Sequence, residues 1–141
     1  TRWDSVAAMT RFVVDCGAVL RLAAEEIEVA PEHELLAPTF LRSQTLSVVH
    51  ESVVRGELSA DEGLERLERI WAMPIRLLGD AVLRRRAWRV ADQLGWTETY
   101  DAEYVALTLL QADALITLDE SLAREVDGIV SVAGLDALRA G

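Results

Sequence analysis

The chain has 141 residues, of which 51% are hydrophobic and 27% are charged, with a formal net charge of −10 at pH 7. This length suits one domain, and the balance of apolar and charged residues excludes a disordered chain. All 14 basic residues are arginine, which excludes a P-loop lysine and a Schiff-base lysine. The acidic balance also argues against broad electrostatic attraction to nucleic acid, so any phosphate chemistry must use local features.

In chain order the first half of the sequence predicts a strand at 12–14, a helix at 17–23, a strand at 34–38, a helix at 39–55 and a helix that begins at the capping box 59–62. The second half predicts a strand at 73–78, a helix at 80–94 and a helix from about 101 to 110. A strand at 114–117, a helix at 120–126, a strand at 128–132 and a helical turn at 135–138 complete the chain. Pro38 is placed to open a helix, and Gly56 and Gly95 are placed to end one. Pro74 confines the third strand to a sheet edge or a strand start. Strands that alternate with helices predict an α/β fold in three layers, with a central, mainly parallel sheet of about five short strands.

The cysteine content and the termini bear on location and domain organisation. Cys16 is the one cysteine, so the chain can form no internal disulfide, which favours a cytoplasmic protein. No apolar stretch approaches the roughly 20 residues of a membrane span. We expect a single domain over residues 9–141, and we interpret residues 1–8 as an N-terminal extension or a cloning remnant.

Three aspartates are placed for chemistry at one edge of the predicted sheet. Asp15 follows the first strand and Asp119 follows the fourth, where open α/β sheets bind their ligands. Asp101 lies in the first turn of the helix before the fourth strand, where the helix dipole favours its ionised form. Carboxylates that converge on one cleft need a cation among them, and oxygen ligands without histidine or thiolate favour Mg²⁺, with Mn²⁺ as an alternative. The pattern therefore indicates metal-assisted hydrolysis of a phosphodiester.

A purely structural interpretation of these aspartates competes with the metal hypothesis. Aspartate between a strand and a helix is a favoured N-cap, so Asp15 and Asp119 each fit that role when taken alone. Asp101 alone equally fits a residue that stabilises the helix dipole. Spacing by itself leaves both interpretations open.

Four segments resemble the signature segments of the PIN-domain family, and in particular of the VapC toxins of type II toxin-antitoxin systems. They are FVVD at 12–15, LAPTFLRSQ at 36–44, YDAEYVAL at 100–107 and LITLD at 115–119. Their order and spacing match from about residue 12 to the C-terminus. The resemblance implies a PIN-like α/β/α sandwich and Mg²⁺-dependent endonucleolytic cleavage of RNA, with tRNA, rRNA or mRNA as target. It also implies a homodimer and a VapB-like antitoxin whose extended segment covers the acidic groove.

The resemblance places Asp15, Asp101 and Asp119 on three of the family's four acidic positions, and Gln44 on the fourth. Glutamine keeps the shape of glutamate without its charge. The substitution is explained by engineering of a toxic nuclease, by natural weakening, or by compensation from a neighbouring acid. Glu51 lies about 10 Å further along the same helix and Glu103 points to another side of its own, which disfavours compensation.

Several other residues have a structural and a functional interpretation. Gly17 stands where the family often has a hydroxyl residue, which argues against full activity. Thr117 is expected to hydrogen-bond an acidic neighbour or metal-bound water, or to be a satisfied buried hydroxyl. The arginines at 84–86 could meet RNA phosphate, although a solvated face or an antitoxin contact is the more common role of such a run. Trp71, Trp88 and Trp96 are expected in the core or at an interface.

Two other functions compete with the nuclease. One is a catalytically inactive PIN-fold module that serves as a binding partner or decoy, in which Gln44 is native. The other is phosphoryl transfer through Asp15, as in haloacid-dehalogenase-type phosphatases. That chemistry needs a second aspartate where Gly17 stands, together with a lysine that the chain lacks.

Overall fold

The structure, a computed structural model, describes residues 10–139. Its strands are β1 (Thr10–Val14), β2 (His33–Pro38), β3 (Ile75–Leu78), β4 (Ala114–Ile116) and β5 (Val132–Ala133). Its helices are α1 (Cys16–Ala24), α2 (Leu41–Val54), α3 (Ala60–Ala72), α4 (Ala81–Leu94), α5 (Tyr100–Gln111) and α6 (Glu120–Glu125), followed by a 3-10 helix at Leu135–Leu138. The predicted N-terminal extension at 1–8 lies outside the described residues.

The five strands form one parallel sheet in the order β3-β2-β1-β4-β5. From β1 the chain builds outward to β2 and β3, then returns to place β4 on the other side of β1. The crevice between the carboxyl ends of β1 and β4 is therefore a topological switch point, where ligands bind in open α/β sheets. The predicted parallel sheet of five short strands is confirmed, and β3 occupies an edge, as Pro74 predicts.

Helices cover the sheet and bury an aliphatic core. Helices α1, α2 and α3 contact one another, while α5 packs against α4 and against β1, β2 and β4. The central strands are nearly continuous runs of buried apolar residues, as parallel strands covered on both faces require. Within residues 10–139 no helix is long and apolar enough to cross a membrane.

Local sequence signals account for most helix ends. Ser59 and Glu62 form the predicted capping box at the start of α3. Asp80 caps α4 by accepting a hydrogen bond from the Leu83 amide, and α4 ends at Gly95, whose φ of 70° is left-handed. These bounds agree with the predicted ones to within a residue or two.

Two predicted bounds are wrong. Pro38 does not open a helix: it is the last residue of β2 and pairs in register with Leu78. The Thr39 amide then donates to the Leu78 carbonyl, which delays the start of α2. The last strand is displaced from residues 128–132 to Val132–Ala133, because Gly128 adopts a φ of 84° and the chain folds back toward the end of α6.

Candidate active site

A pocket of about 210 Å³ lies at the carboxyl ends of β1 and β4. Its lining residues are Asp15, Cys16, Gly17, Gln44, Asp101, Tyr104, Leu118 and Asp119. All four predicted site residues are therefore brought together, although they come from four segments of the chain. The topology explains this convergence, because β1 and β4 are neighbours and α2 and α5 reach the same edge of the sheet.

Thr117 links the two aspartates that follow β1 and β4. Its hydroxyl donates to Asp15 Oδ2 at 2.5 Å and accepts from the Asp119 amide at 3.1 Å. Asp15 and Thr117 are both buried, with 9% and 7% of their surface exposed. The predicted hydrogen bond from Thr117 to an acidic neighbour is confirmed, and it holds the ends of the two strands in a fixed relation.

Both of these aspartates are also helix caps. Asp15 Oδ1 accepts from the Ala18 amide at 2.9 Å, and Asp119 Oδ1 accepts from the Leu122 amide at 3.1 Å. The capping interpretation is thus correct, yet it does not exclude the other one. A carboxylate has about four lone-pair sites, so each group retains acceptor capacity toward the pocket.

Gln44 is held by Tyr104, a residue that sequence reasoning missed. The Tyr104 hydroxyl donates to Gln44 Oε1 at 2.6 Å, and Tyr104 is only 1% exposed. Burial raises the pKa of this phenol, so it stays protonated and acts as a donor. With its oxygen engaged, Gln44 offers the pocket its amide hydrogens, whereas a glutamate would offer a negative charge.

The electrostatics of the pocket penalise ionised carboxylates. Burial raises the pKa of Asp15, while the hydrogen bonds from Thr117 and Ala18 oppose that rise. Desolvation raises the pKa of Asp101, and the nearby charges of Asp119 and Asp15 add to it. A bound cation would relieve this penalty.

The donor chemistry of the pocket suits a hard cation. Within residues 10–139 no three acidic, histidine or cysteine side chains form a ready-made metal cluster. Magnesium, however, usually takes one or two carboxylates and keeps several waters. The Asp15, Asp101 and Asp119 oxygens are donors of that kind, so the residues present fit Mg²⁺.

The acids considered as substitutes for Gln44 do not line this pocket. Glu51 is exposed and pairs with Arg55 at 3.9 Å. Glu103 lies outside the lining, and burial raises its pKa while Arg84 opposes the rise. Compensation by either residue is therefore not supported. Cys16 is buried, and burial together with the charge of Asp15 raises its pKa to about 11, so it carries no thiolate.

The predicted location of the tryptophans is confirmed for Trp96, which is half-buried and packs against the core. Trp71 and Trp88 are 53% and 71% exposed, so they do not belong to the core. Their assignment to an interface stays a prediction.

No protein-family profile and no curated protein sequence matches this chain. Solved structures do match. The crystal structure of PAE2754 from Pyrobaculum aerophilum superposes with a TM-score of 0.71 at 21% identity, covering 93% of each chain. VapBC2 from Rickettsia felis, bound to a DNA fragment from its promoter, superposes with a TM-score of 0.64 at 9% identity, covering 88% of this chain and 98% of that one. VapBC-5 from Mycobacterium tuberculosis, a member of the VapBC family of toxin-antitoxin systems, superposes with a TM-score of 0.56 at 20% identity, covering 93% of this chain and 99% of that one. The chain therefore has the PIN-like, VapC-like α/β/α fold that its sequence predicts.

Proposed function

We propose that the chain is a metal-dependent endoribonuclease of the VapC type, which hydrolyses phosphodiester bonds of RNA. The observation that carries this proposal is the convergence of Asp15, Asp101 and Asp119 on one pocket at the switch point of the sheet. A solely structural role would explain the two caps. It would not explain why Asp101 joins them in one pocket, where burial and the neighbouring charges raise the pKa of Asp15 and of Asp101.

Mg²⁺, or Mn²⁺ in its place, would be held among Asp15, Asp101 and Asp119 by one or two carboxylates together with waters. When bound, it supplies neutralisation of negative charge on the phosphodiester and a more acidic water. The chain itself positions the ligands: Thr117 fixes Asp15 relative to the Asp119 backbone, and the caps of α1 and α6 orient one oxygen of each carboxylate. Tyr104 fixes the Gln44 amide at the wall of the pocket.

Gln44 lowers the activity without abolishing the site. The pocket carries one negative charge fewer than a four-acid site of the same shape, so its attraction for a divalent cation is weaker. Tyr104 would donate to a glutamate at position 44 as it does to Gln44, and a charge-assisted bond is stronger than a neutral one. The change Gln44→Glu is therefore expected to fit without rearrangement of its neighbours.

The test is cleavage of total RNA by the Gln44→Glu variant with Mg²⁺. We expect faster Mg²⁺-dependent cleavage than by the unsubstituted chain, and none when Asp15→Asn is added. Asp92→Asn on the exposed face of α4 is the matched control and should leave cleavage unchanged. Folded Gln44→Glu protein that cleaves no more RNA than its Asp15→Asn derivative would overturn the nuclease assignment. The same result without Mg²⁺ binding in calorimetry would favour an inactive binding module.

We also propose that the chain forms a homodimer and binds a small VapB-like antitoxin. Support comes from the VapBC structures that share the fold and from large apolar side chains left exposed on the helices, which include Leu46, Val54, Leu64, Trp71, Val82 and Trp88. Two of them, Leu46 and Trp71, line one pocket, and clustered exposed apolar surface of this kind is typical of protein interfaces. Sedimentation equilibrium of the purified chain tests the dimer. Co-purification with the product of an adjacent small gene tests the antitoxin.

A further inference from the structure

A second pocket, of about 630 Å³, adjoins the acidic one and shares Gln44 and Asp101 with it. Its lining residues are Gln44, Gly95, Trp96, Thr97, Glu98, Tyr100, Asp101 and Glu125. It is formed by the loop between α4 and α5, the first turn of α5, the end of α6 and Gln44 of α2. Apart from Gln44 and Asp101, its lining residues have no part in the proposed nuclease site.

An aromatic side chain with an exposed ring borders this pocket. Tyr100 is 58% exposed, although its ring packs against Phe40 at a centroid distance of 5.5 Å. That packing supports the ring from one side and leaves much of it open. An aromatic ring held in this way offers a stacking surface for a planar ligand.

The polar groups of the pocket are hydrogen-bond acceptors. The Trp96 indole nitrogen donates to Glu125 Oε1 at 3.1 Å, which holds both side chains in place and leaves Oε2 of Glu125 to accept from a ligand. Glu98 and Glu125 also lie near Asp101, whose pKa their charges raise. Among residues 10–139 no arginine lines the pocket, so the pocket favours a group rich in N–H donors over a phosphate group.

We propose that this second pocket binds one unpaired nucleobase of the RNA, stacked on Tyr100 and held by Glu98 and Glu125 through N–H groups of its edge. The proposal rests on the nuclease function above, because the shared residues place the base beside the phosphate to be cleaved. Guanine is the best match, since its imino and amino hydrogens can meet one carboxylate. Uracil, with a single N–H, is a poor match.

The test measures binding of fluorescein-labelled hexaribonucleotides, UUUGUU and UUUUUU, by anisotropy. The Asp15→Asn background keeps the probes intact. We expect tighter binding of UUUGUU. Tyr100→Ala should weaken that binding roughly 5- to 100-fold, the range for loss of one base-stacking contact. Tyr100→Phe keeps the ring and should bind within about twofold of the parent.

Glu98→Gln gives an independent readout, because Glu98 is exposed and its change does not threaten the fold. It should remove most of the discrimination between the two probes while retaining binding of UUUUUU. Circular dichroism tests whether Tyr100→Ala is folded. If Tyr100→Ala is unfolded, the binding of the two probes by Glu98→Gln decides whether the pocket binds a base.

The proposal is overturned if neither probe binds, if UUUGUU and UUUUUU bind equally, or if folded Tyr100→Ala binds like the parent. It is also overturned if the pocket binds an arginine-containing peptide and no hexaribonucleotide. If the Gln44→Glu variant cleaves RNA equally well with and without Tyr100→Ala, the base-binding proposal is wrong and the nuclease proposal stands. If RNA binding depends on Tyr100 but no variant cleaves RNA, the nuclease proposal is wrong and the base-binding proposal stands.

Discussion

Replacing Thr117 with valine removes the hydroxyl that links Asp15 to the Asp119 backbone. Valine has nearly the same shape, so the change leaves no large cavity. It does leave Asp15 Oδ2 and the Asp119 amide without their common partner. Thr117→Val therefore isolates the hydrogen bonding of the site from its packing.

The hydrogen bond from Thr117 to Asp15 dominates the expected loss. A hydrogen bond to a charged group contributes about 1.5–3 kcal/mol, and a neutral one about 0.5–1.5 kcal/mol. Water can reach the partly exposed side of Asp119 and replace its lost acceptor. We therefore expect Thr117→Val to lower the free energy of unfolding by about 2–3 kcal/mol where Asp15 is ionised.

The loss should depend on pH in a defined direction. The Thr117 hydrogen bond lowers the pKa of Asp15 against the larger effect of burial, so its removal raises that pKa further. The folded variant then binds the proton more tightly than the folded parent does. Its deficit in stability should shrink toward about 1 kcal/mol as the pH falls through the raised pKa of Asp15.

Urea denaturation in EDTA, at neutral and at mildly acidic pH, measures both effects. A loss of this size moves the midpoint by roughly 1 M. The matched control is Thr108→Val, because Thr108 is 3% exposed and its hydroxyl donates to the neutral Tyr104 carbonyl at 2.8 Å. Its loss should be about 1 kcal/mol and independent of pH. Equal losses in both variants, or a loss at Thr117 that does not change with pH, would refute the reasoning.

Three further predictions concern charge and backbone conformation. Without metal, the raised pKa values of Asp15 and Asp101 mean that the folded state holds these protons more tightly than the unfolded state does. Thermal unfolding in EDTA should therefore show stability rising as the pH falls from neutral toward those raised values, and Mg²⁺ should weaken this trend. Gln44→Glu should lower the melting temperature in EDTA by adding an anion to the pocket, and Mg²⁺ should restore it; a decrease that Mg²⁺ leaves unchanged would contradict the metal assignment. Gly95→Ala should cost about 1–2 kcal/mol in urea because φ is 70° there, while Gly134→Ala, at a φ of −95° with no atom within 4 Å of the added Cβ, should cost nothing.

Features with a local cause could be predicted from the sequence. The capping box at Ser59, the end of α4 at Gly95 and the caps at Asp15 and Asp119 depend on residues within three or four positions of one another. The convergence of the aspartates was also within reach, because parallel strands end at a common edge of the sheet.

Features that depend on distant partners were not predictable in the same way. In the sequence, Tyr104 looks like an ordinary residue on the apolar face of a helix. Only the packing of α5 brings its hydroxyl to Gln44, which is 60 positions away in the chain. Pro38 has the sequence context of a helix start, yet its register with β3 makes it a strand residue. The second pocket joins residues from one loop and three helices, and no spacing in the sequence marks it.

The contact between Asp15 and Thr117 spans 102 positions in the chain, and this separation bears on when the pocket comes into being. A ribosome adds roughly 5–20 residues per second, so about 5–20 s pass between synthesis of the first aspartate and synthesis of its threonine partner. Pairing of β1 with β4 also carries the entropic cost of closing a long loop, which slows folding. A nascent chain therefore presents its apolar helices to the cell well before it holds an assembled acidic pocket.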